Sequence, residues 1–259
     1  MSKLTPIVEK LLLINIVLFL ANKFLGFELI ELLGLRNVWS ANFAPYQFLT
    51  HLFTHASFLH LFSNMFTLVT FGPVLEYTLS SKRFLLFYLI TGIGAALLYA
   101  FVGYMEIHRI EALYRAYINH PSPESFYVFL NKFPQQVYSD FYDFIHRFFA
   151  HPEDQAYIAK SKAIVSQLYR LKTDIPIVGA SGAIFGILTA FAMLFPNAQL
   201  SLLLLPIPIK AQYFIVLYGL YELYAGLQMN PADRVAHFAH LGGILFAYVF
   251  IKWWQRYGR

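Results

Sequence analysis

Six apolar runs determine what this chain can fold into. A helix needs about 20 residues to cross a hydrocarbon layer of roughly 30 Å. The chain of 259 residues is 58% hydrophobic and only 13% charged, a composition far from that of a soluble domain. We therefore predict an all-α polytopic membrane protein. Its six predicted spans are residues 8–27, 58–79, 84–104, 178–195, 211–228 and 237–254.

The charge distribution predicts the orientation of these spans. Six spans place both termini and the loops at 80–83 and 210 on one side, and the positive-inside rule makes that side cytoplasmic. The net charge of +5 is thus a topology signal, and we expect membrane lipids but no nucleic acid as partners. The first run has no small-residue cleavage site after it, so we expect a retained helix. The basic residues beside the spans are Lys3, Lys10, Lys82, Arg83, Lys210, Lys252, Arg256 and Arg259.

Residues 105–174 differ in composition from the rest of the chain. Apolar and aromatic residues recur there every three or four positions, and prolines punctuate them, which favours three or four amphipathic helices. We predict an inserted external subdomain at 105–174, near the membrane surface. The transmembrane core then comprises 1–104 and 175–259. A packed helical hairpin without a recognition role is an equally good interpretation of the insertion.

Four polar residues are predicted to lie at one depth in the membrane. His60 and Asn64 begin the second span, Ser181 begins the fourth and His240 begins the sixth. Even-numbered spans run in the same direction, so their first turns reach similar depths at 1.5 Å per residue. Polar groups within a span are costly, which makes these four candidates for function.

These four side chains are the parts of an acyl-transfer site. A serine hydroxyl becomes nucleophilic when a base such as histidine removes its proton, and Ser181 with His240 supplies that pair. His60 and Asn64 share a helix face and can donate to an oxyanion, as can the Ser181 amide at a helix N-terminus. We expect no acidic residue in a span to complete a triad.

Small residues flank both proposed catalytic residues. Glycine and alanine faces let membrane helices approach closely, and a hydroxyl-to-imidazole hydrogen bond requires such an approach. We therefore expect the fourth and sixth helices to touch at these positions. The residues concerned are Gly179, Gly182, Gly242, Gly243 and Ala247.

At these positions the chain resembles the rhomboid family of intramembrane serine proteases. The resemblance rests on four strings in the family's order: HLFSN from His60 to Asn64, FGPVLE ending at Glu76, GASGAIFG around Ser181, and AHLGG with His240. It implies a six-helix rhomboid-like bundle with a helical insertion between helices 3 and 4. The expected location is a bacterial cytoplasmic membrane, with transmembrane proteins as substrates.

The resemblance also implies roles for individual residues. Ser181 and His240 form the catalytic dyad, and His60, Asn64 and the Ser181 amide stabilise the oxyanion. Gly179 lies beside the scissile bond, and Phe185 packs against the catalytic imidazole. The chemistry needs neither a metal nor a cofactor. Two departures concern the outer loops: Arg36 and Trp39 stand apart where many bacterial members have adjacent Trp and Arg, and the third loop is long. We hypothesise that this long loop selects substrates.

Other interpretations stay open at this point. An inactive rhomboid-like chaperone would be expected to lack the serine or the histidine, and a transporter should show paired broken helices, which are not found. His51 and His55 share a helix face but lack carboxylate partners and an HExxH motif, which disfavours a metal site. His237 is either a partner of His240 or, as we favour, an interfacial residue. Glu222 has no assigned role.

Overall fold

The computed structural model describes residues 4–202, 205–228 and 235–258. Within these residues the protein is mostly helical, and one short β-ribbon is present. The elements are α1 Pro6–Phe24, α2 Leu29–Leu33, α3 Gln47–Thr50, a 3-10 helix His51–Phe53, α4 Phe58–Leu79, α5 Ser81–Asn119, α6 Pro123–Leu130, α7 Gln135–Asp140, α8 Tyr142–Ala150, α9 Gln155–Asp174, α10 Ser181–Leu194, β1 Gln199–Leu202, β2 Leu205–Lys210, α11 Ala211–Gln228 and α12 His237–Tyr257.

Six helices overlap the six predicted spans, namely α1, α4, α5, α10, α11 and α12. Two of them, α4 and α5, are long and apolar enough to cross a membrane by length and composition alone, and α10 is a shorter apolar helix. The other three include polar residues, such as Glu9 and Lys10 in α1, Glu222 in α11 and His237 in α12. Length and composition therefore identify fewer spans than the sequence pattern predicts.

The outer faces of these helices carry large exposed apolar side chains. On α4, the rings of Phe58, Phe62 and Phe66 stack in a row with centroids 6.2 and 6.0 Å apart, and all three are more than half exposed. Large exposed apolar surfaces mark contact with a partner or with lipid. Contact of this row of side chains with lipid explains why these phenylalanines are not in the core.

The prediction of an all-α fold is wrong at residues 199–210. This segment forms an antiparallel ribbon in which Gln199 of β1 pairs with Lys210 of β2. Pro206 and Pro208 interrupt the apolar sequence between the fourth and fifth predicted spans. Both lie in β2, where a two-stranded ribbon leaves one edge of each strand free of pairing and tolerates residues without an N–H.

The helix α10 lies at the centre of the core. It packs against α4, α5 and α12, while α1 packs on α4 and α11 packs on α12. Fully buried side chains from four helices, including Leu68, Phe87, Ala183 and Ala247, share one apolar cluster. The central position of α10 means that its first residue, Ser181, is surrounded by neighbouring helices.

A buried carboxylate joins the first three long helices. Glu76, near the end of α4, accepts hydrogen bonds of 3.1 Å from the backbone N–H groups of Ile7 and Val8. It also accepts one of 2.6 Å from the hydroxyl of Ser81. The N–H groups at a helix start lack intrahelical acceptors and favour negative charge. Glu76 therefore caps α1 and fixes it to α4 and α5.

The predicted insertion has an apolar core of its own. Fully buried Phe126, Phe129, Phe148 and Val165 lie in one cluster that is separate from the main core. The predicted boundary at residue 105 is not a helix end, because α5 continues without a break to Asn119. The sequence changes there from apolar to amphipathic, but a helix-breaking residue first occurs at Pro121.

The segment between α2 and α3 is attached to both ends of the insertion. The guanidinium of Arg36 contacts the carboxylate of Glu31 and the backbone carbonyl of Asp174, at the end of α9. The ring of Trp39 stacks on those of Tyr104 and His108, both in α5, with centroids 5.7 and 6.1 Å apart. Arg36 and Trp39, which are separated in sequence, thus hold the loop against the two helices that carry the insertion.

Candidate active site

Ser181 is the first residue of α10. The helix begins three residues after the approximate bound of 178 predicted for the span, because Val178, Gly179 and Ala180 precede it. Gly179 has φ +120°, a conformation that favours glycine, and its N–H donates a hydrogen bond of 2.9 Å to the carbonyl of His51. A Cβ at Gly179 would lie 2.5 Å from Cε1 and Nε2 of His60. The glycine therefore allows both the backbone turn and the approach of this imidazole.

The structure brings Ser181 and His240 into direct contact. Nε2 of His240, on the first turn of α12, lies 2.9 Å from the hydroxyl oxygen of Ser181, a hydrogen-bond distance. The ring of Phe185 stacks on the imidazole of His240 with centroids 4.2 Å apart and an interplanar angle of 13°. Because the phenylalanine covers one ring face, the imidazole is held edge-on to the hydroxyl.

Glycines allow the backbones of α10 and α12 to touch. A Cβ at Gly243 would overlap the carbonyl oxygen of Gly182 and lie 2.9 Å from its carbonyl carbon. Gly182 in turn faces α5, where an added Cβ would overlap the side chain of Ala95. Gly242 also faces Ala95, with an added Cβ 2.7 Å from its Cα. The predicted small-residue faces thus join three helices.

Two candidate oxyanion donors lie on the first turns of α4. The ring of His60 contacts Gly179, next to the segment that leads into Ser181. Asn64 lies one turn further along and is buried, and its Nδ2 has no hydrogen-bond partner among the described residues. A buried donor without a partner is costly. It is therefore available to a group that arrives during a reaction.

The two other histidines of this region are buried and uncharged. Burial lowers the pKa of His51 to about 4, and its Nδ1 lies 2.9 Å from the carbonyl oxygen of Gln47. Burial, and secondarily the nearby His60, lowers the pKa of His55 to about 3. The rings of His55 and His60 meet edge-on with centroids 5.0 Å apart. His51 and His55 thus support the loop beside the site as neutral side chains.

The structure adds an acidic residue that we did not expect near the dyad. Oε2 of Glu222, on α11, lies 2.9 Å from Nδ1 of His240 and 2.6 Å from Nδ1 of His237. The expectation that no acidic residue in a span approaches the dyad was wrong. The interfacial interpretation of His237 was also wrong, because His237 is buried and bonded to Glu222.

The position of Glu222 contains a signal that sequence reasoning missed. The helix α11 runs opposite to α12, and Glu222 precedes its last residue, Gln228, by six positions. His240 follows the first residue of α12 by three. At 1.5 Å per residue, both side chains lie within two turns of the same end of the bundle. If depth is counted from that end of the bundle, the sequence predicts that Glu222 and His240 lie at similar depths.

Glu222, His237 and His240 also raise the question of a metal site. One ligand atom from each lies within 4.8 Å of the others, and two imidazoles with a carboxylate can bind zinc. Zinc–nitrogen distances of about 2.0 Å in a tetrahedral site keep ligand atoms roughly 3.3 Å apart. The two observed separations, 2.6 and 2.9 Å, are shorter than this spacing, and the 2.6 Å contact between His237 and Glu222 is a hydrogen bond. The short separations therefore favour direct contacts between the Glu222 carboxylate and the two imidazoles over a zinc site.

Comparisons with known proteins cover the part of the chain that contains this site. A profile of the rhomboid domain matches residues 42–108 and 155–255, which include every residue of the candidate site and leave out 109–154 in the insertion. Over 89 residues the chain is 36% identical to Rhomboid-like protein 11, chloroplastic, of Arabidopsis thaliana. That alignment covers 34% of this chain and 30% of the plant protein. Since the rhomboid-domain match covers more than half of the residues of this chain, the chain belongs to the rhomboid family of integral membrane proteins.

Proposed function

We propose that this protein is an intramembrane serine endopeptidase. It cleaves membrane-anchored proteins near the outer face of the membrane, with Ser181 as nucleophile and His240 as general base. The observation that carries the proposal is the 2.9 Å contact between Nε2 of His240 and the Ser181 hydroxyl. Activation of a serine by an adjacent imidazole is the basis of serine hydrolase chemistry. In this proposal all six long helices span the membrane and both termini are cytoplasmic, as the positive-inside rule suggests.

The reaction proceeds in two steps. The Ser181 oxygen attacks the carbonyl carbon of the scissile bond while Nε2 of His240 takes the hydroxyl proton. The tetrahedral intermediate collapses, the carbon–nitrogen bond breaks, and His240 gives its proton to the departing amine. Water then attacks the acyl ester with His240 again as base, which releases a carboxylic acid and restores the serine. No step requires a metal or a cofactor.

In this proposal three donors stabilise the oxyanion. Ser181 begins α10, and the N–H of a first helical residue has no acceptor within its own helix. The positive end of the helix dipole adds to its attraction for an anion. The side chains of His60 and Asn64 supply the other two donors in this proposal. Donors aimed at developing charge are among the largest contributions to catalysis.

The contribution of Asn64 is testable by truncation. We expect Asn64→Ala to lower the cleavage rate by about 10- to 1,000-fold, on the order of one oxyanion donor, with little change in thermal stability because Nδ2 has no partner to lose. The matched control is Asn15→Ala, since Asn15 is also buried but its Nδ2 bonds the Leu11 carbonyl on α1. We expect that variant to lose stability and to keep its rate per folded molecule. Equal rates for the two variants would remove Asn64 from the mechanism.

We propose that the insertion restricts which substrates reach the site. Its helices carry exposed apolar side chains, such as Tyr127, Tyr142 and Phe149, and α8 is amphipathic, a pattern typical of helices on membrane surfaces. The attachment of Arg36 to the end of α9 links the insertion to the outer loop beside the site. A substrate entering from the lipid would meet these elements near the outer surface.

Replacement of 121–154 by a short Gly/Ser linker tests this role and keeps the pairing of α5 with α9. We expect the shortened protein to cleave a wider set of single-span reporter proteins that differ in their juxtamembrane sequences. Labelling of Ser181 by a small fluorophosphonate serves as the control and should be unchanged, because the site residues lie in other elements. An identical reporter profile for both proteins would contradict the selective role.

A fluorophosphonate probe also tests the proposed function without a known substrate. Its phosphorus accepts the oxygen of an activated serine and loses fluoride, while the hydroxyl proton passes to the base. Labelling that requires both Ser181 and His240, in lipid and in detergent, supports the protease. A protein that binds client helices without cleaving them would not be labelled.

A further inference from the structure

We propose that Glu222 is a positioning residue for His240, and that His237 holds the Glu222 carboxylate in place. The active site is then a Ser181–His240–Glu222 triad. This inference rests on the proposed serine protease function and deepens it, because it assigns a role to a third residue on a third helix.

The geometry places one carboxylate oxygen between two imidazoles. Oε2 of Glu222 lies 2.9 Å from Nδ1 of His240 and 2.6 Å from Nδ1 of His237. All three side chains are buried, and Glu222 is only 2% exposed. An added Cβ at Gly226, one turn after Glu222, would lie 3.2 Å from Cβ of His237. The absence of a side chain at Gly226 lets α11 approach α12 closely enough for these contacts.

The contact selects the form of His240 that catalysis needs. An ionised carboxylate can only accept hydrogen bonds, so the imidazole nitrogen that faces it must carry the proton. In a neutral imidazole the other nitrogen then has the free lone pair. For His240 that other nitrogen is Nε2, which faces the Ser181 hydroxyl. Glu222 thus sets the tautomer that can accept the serine proton.

The same carboxylate stabilises the imidazolium that forms during the reaction. Opposite charges attract strongly in a buried site, and the negative charge is already in place before the proton moves. Among the described residues Nδ1 of His240 makes no aligned hydrogen bond, although it lies 2.9 Å from Oε2 of Glu222. Such contacts are often poorly aligned before substrate binds and improve in the reacting complex. The other titratable groups around the pair are His60 on α4, Tyr218 and Tyr221 on α11, and His237 on α12.

The test compares Glu222→Gln with the wild type by fluorophosphonate labelling across pH. We expect the second-order rate constant for labelling at neutral pH to fall by about 10- to 100-fold, less than the roughly 10⁴-fold lost when the aspartate of a soluble triad is replaced. The shape of the pH profile should also change. A neutral amide no longer stabilises the protonated imidazole, so the acidic limb should move to lower pH.

Two further variants separate positioning from folding. Glu76→Gln alters another buried carboxylate far from the dyad, and we expect lower thermal stability with an unchanged pH profile. Glu222→Asp keeps the charge on a shorter side chain and should recover part of the rate. If Glu222→Gln does not fold, Glu222→Asp carries the comparison. A wild-type labelling rate and an unshifted acidic limb in folded Glu222→Gln would overturn the proposal, and so would a full wild-type rate in Glu222→Asp.

A second measurement is independent of activity. In proton NMR spectra of ¹⁵N-histidine-labelled protein, we expect a downfield imidazole N–H signal from His240 that is lost in Glu222→Gln. Wild-type protein that cannot be labelled by the probe but shows this signal would refute the protease and retain the contact. A different result would refute only the role of Glu222: the probe labels the wild-type protein, the signal is absent, and Glu222→Gln is labelled at the wild-type rate.

Discussion

Ser181→Ala and His240→Ala are each expected to abolish both probe labelling and cleavage of membrane-anchored substrates. Alanine at 181 removes the oxygen that forms the covalent bond. Alanine at 240 removes the imidazole nitrogen that lies 2.9 Å from that oxygen. Loss of a triad member leaves only the rate that the oxyanion donors and substrate binding supply. Gel-based labelling and mass spectrometry of the modified peptide measure the effect.

Matched controls keep this result specific. Ser161 is a buried serine whose hydroxyl bonds Tyr117 in the insertion, and His146 is an exposed histidine on α8. Ser161→Ala and His146→Ala should both label at the wild-type rate. All four variants should retain wild-type helical content by circular dichroism. Labelling of Ser181→Ala at any residue would show that the activated nucleophile lies elsewhere and would refute the mechanism.

Gly243→Ala is expected to have the next largest effect, because it acts on folding and catalysis together. The new methyl group would overlap the carbonyl oxygen of Gly182, and backbone cannot move aside as a flexible side chain can. The helices α10 and α12 must separate, which draws Ser181 away from His240. A misplacement of about 1 Å can cost on the order of 100-fold in rate, and overpacking costs typically 1–3 kcal/mol of stability. Thermal unfolding and labelling rates measured together detect both losses.

The control for this variant is Gly219→Ala on α11. An added Cβ there meets only the terminal methyl of Ile244, at 3.3 Å, and a side-chain end can shift. We expect a small change in stability and a normal labelling rate. If Gly243→Ala matches this control in both measurements, the contact between α10 and α12 does not set the distance between serine and imidazole.

The helical positions and the Ser181–His240 contact could be predicted from the sequence because they depend on local pattern and direction. Apolar runs give the helices, and helices that run in the same direction bring their first turns to one depth. That reasoning compared even-numbered spans only. Glu222 lies on a span that runs the other way, so its pairing with His240 and His237 depends on the packing of α11 against α12.

Other features could not be predicted for a different physical reason. The start of α10 depends on Gly179. Its positive φ is fixed by contacts with His51 and His60, which lie far away in the sequence. The ribbon at 199–210 depends on pairing between two strands. The prolines in this segment disfavour a strand, so the local sequence does not predict the ribbon. The continuation of α5 beyond residue 104 depends on packing against α9, which the change in composition conceals.

The unbroken helix α5 connects the insertion to the main apolar core as one rigid element. Its 39 residues correspond to a rod about 58 Å long at 1.5 Å per residue. One part of this rod lies against Gly182 and Gly242, and the other carries the aromatic core of the insertion. Because α5 is unbroken, a tilt of the insertion would also move the part of α5 that packs against Gly182 and Gly242.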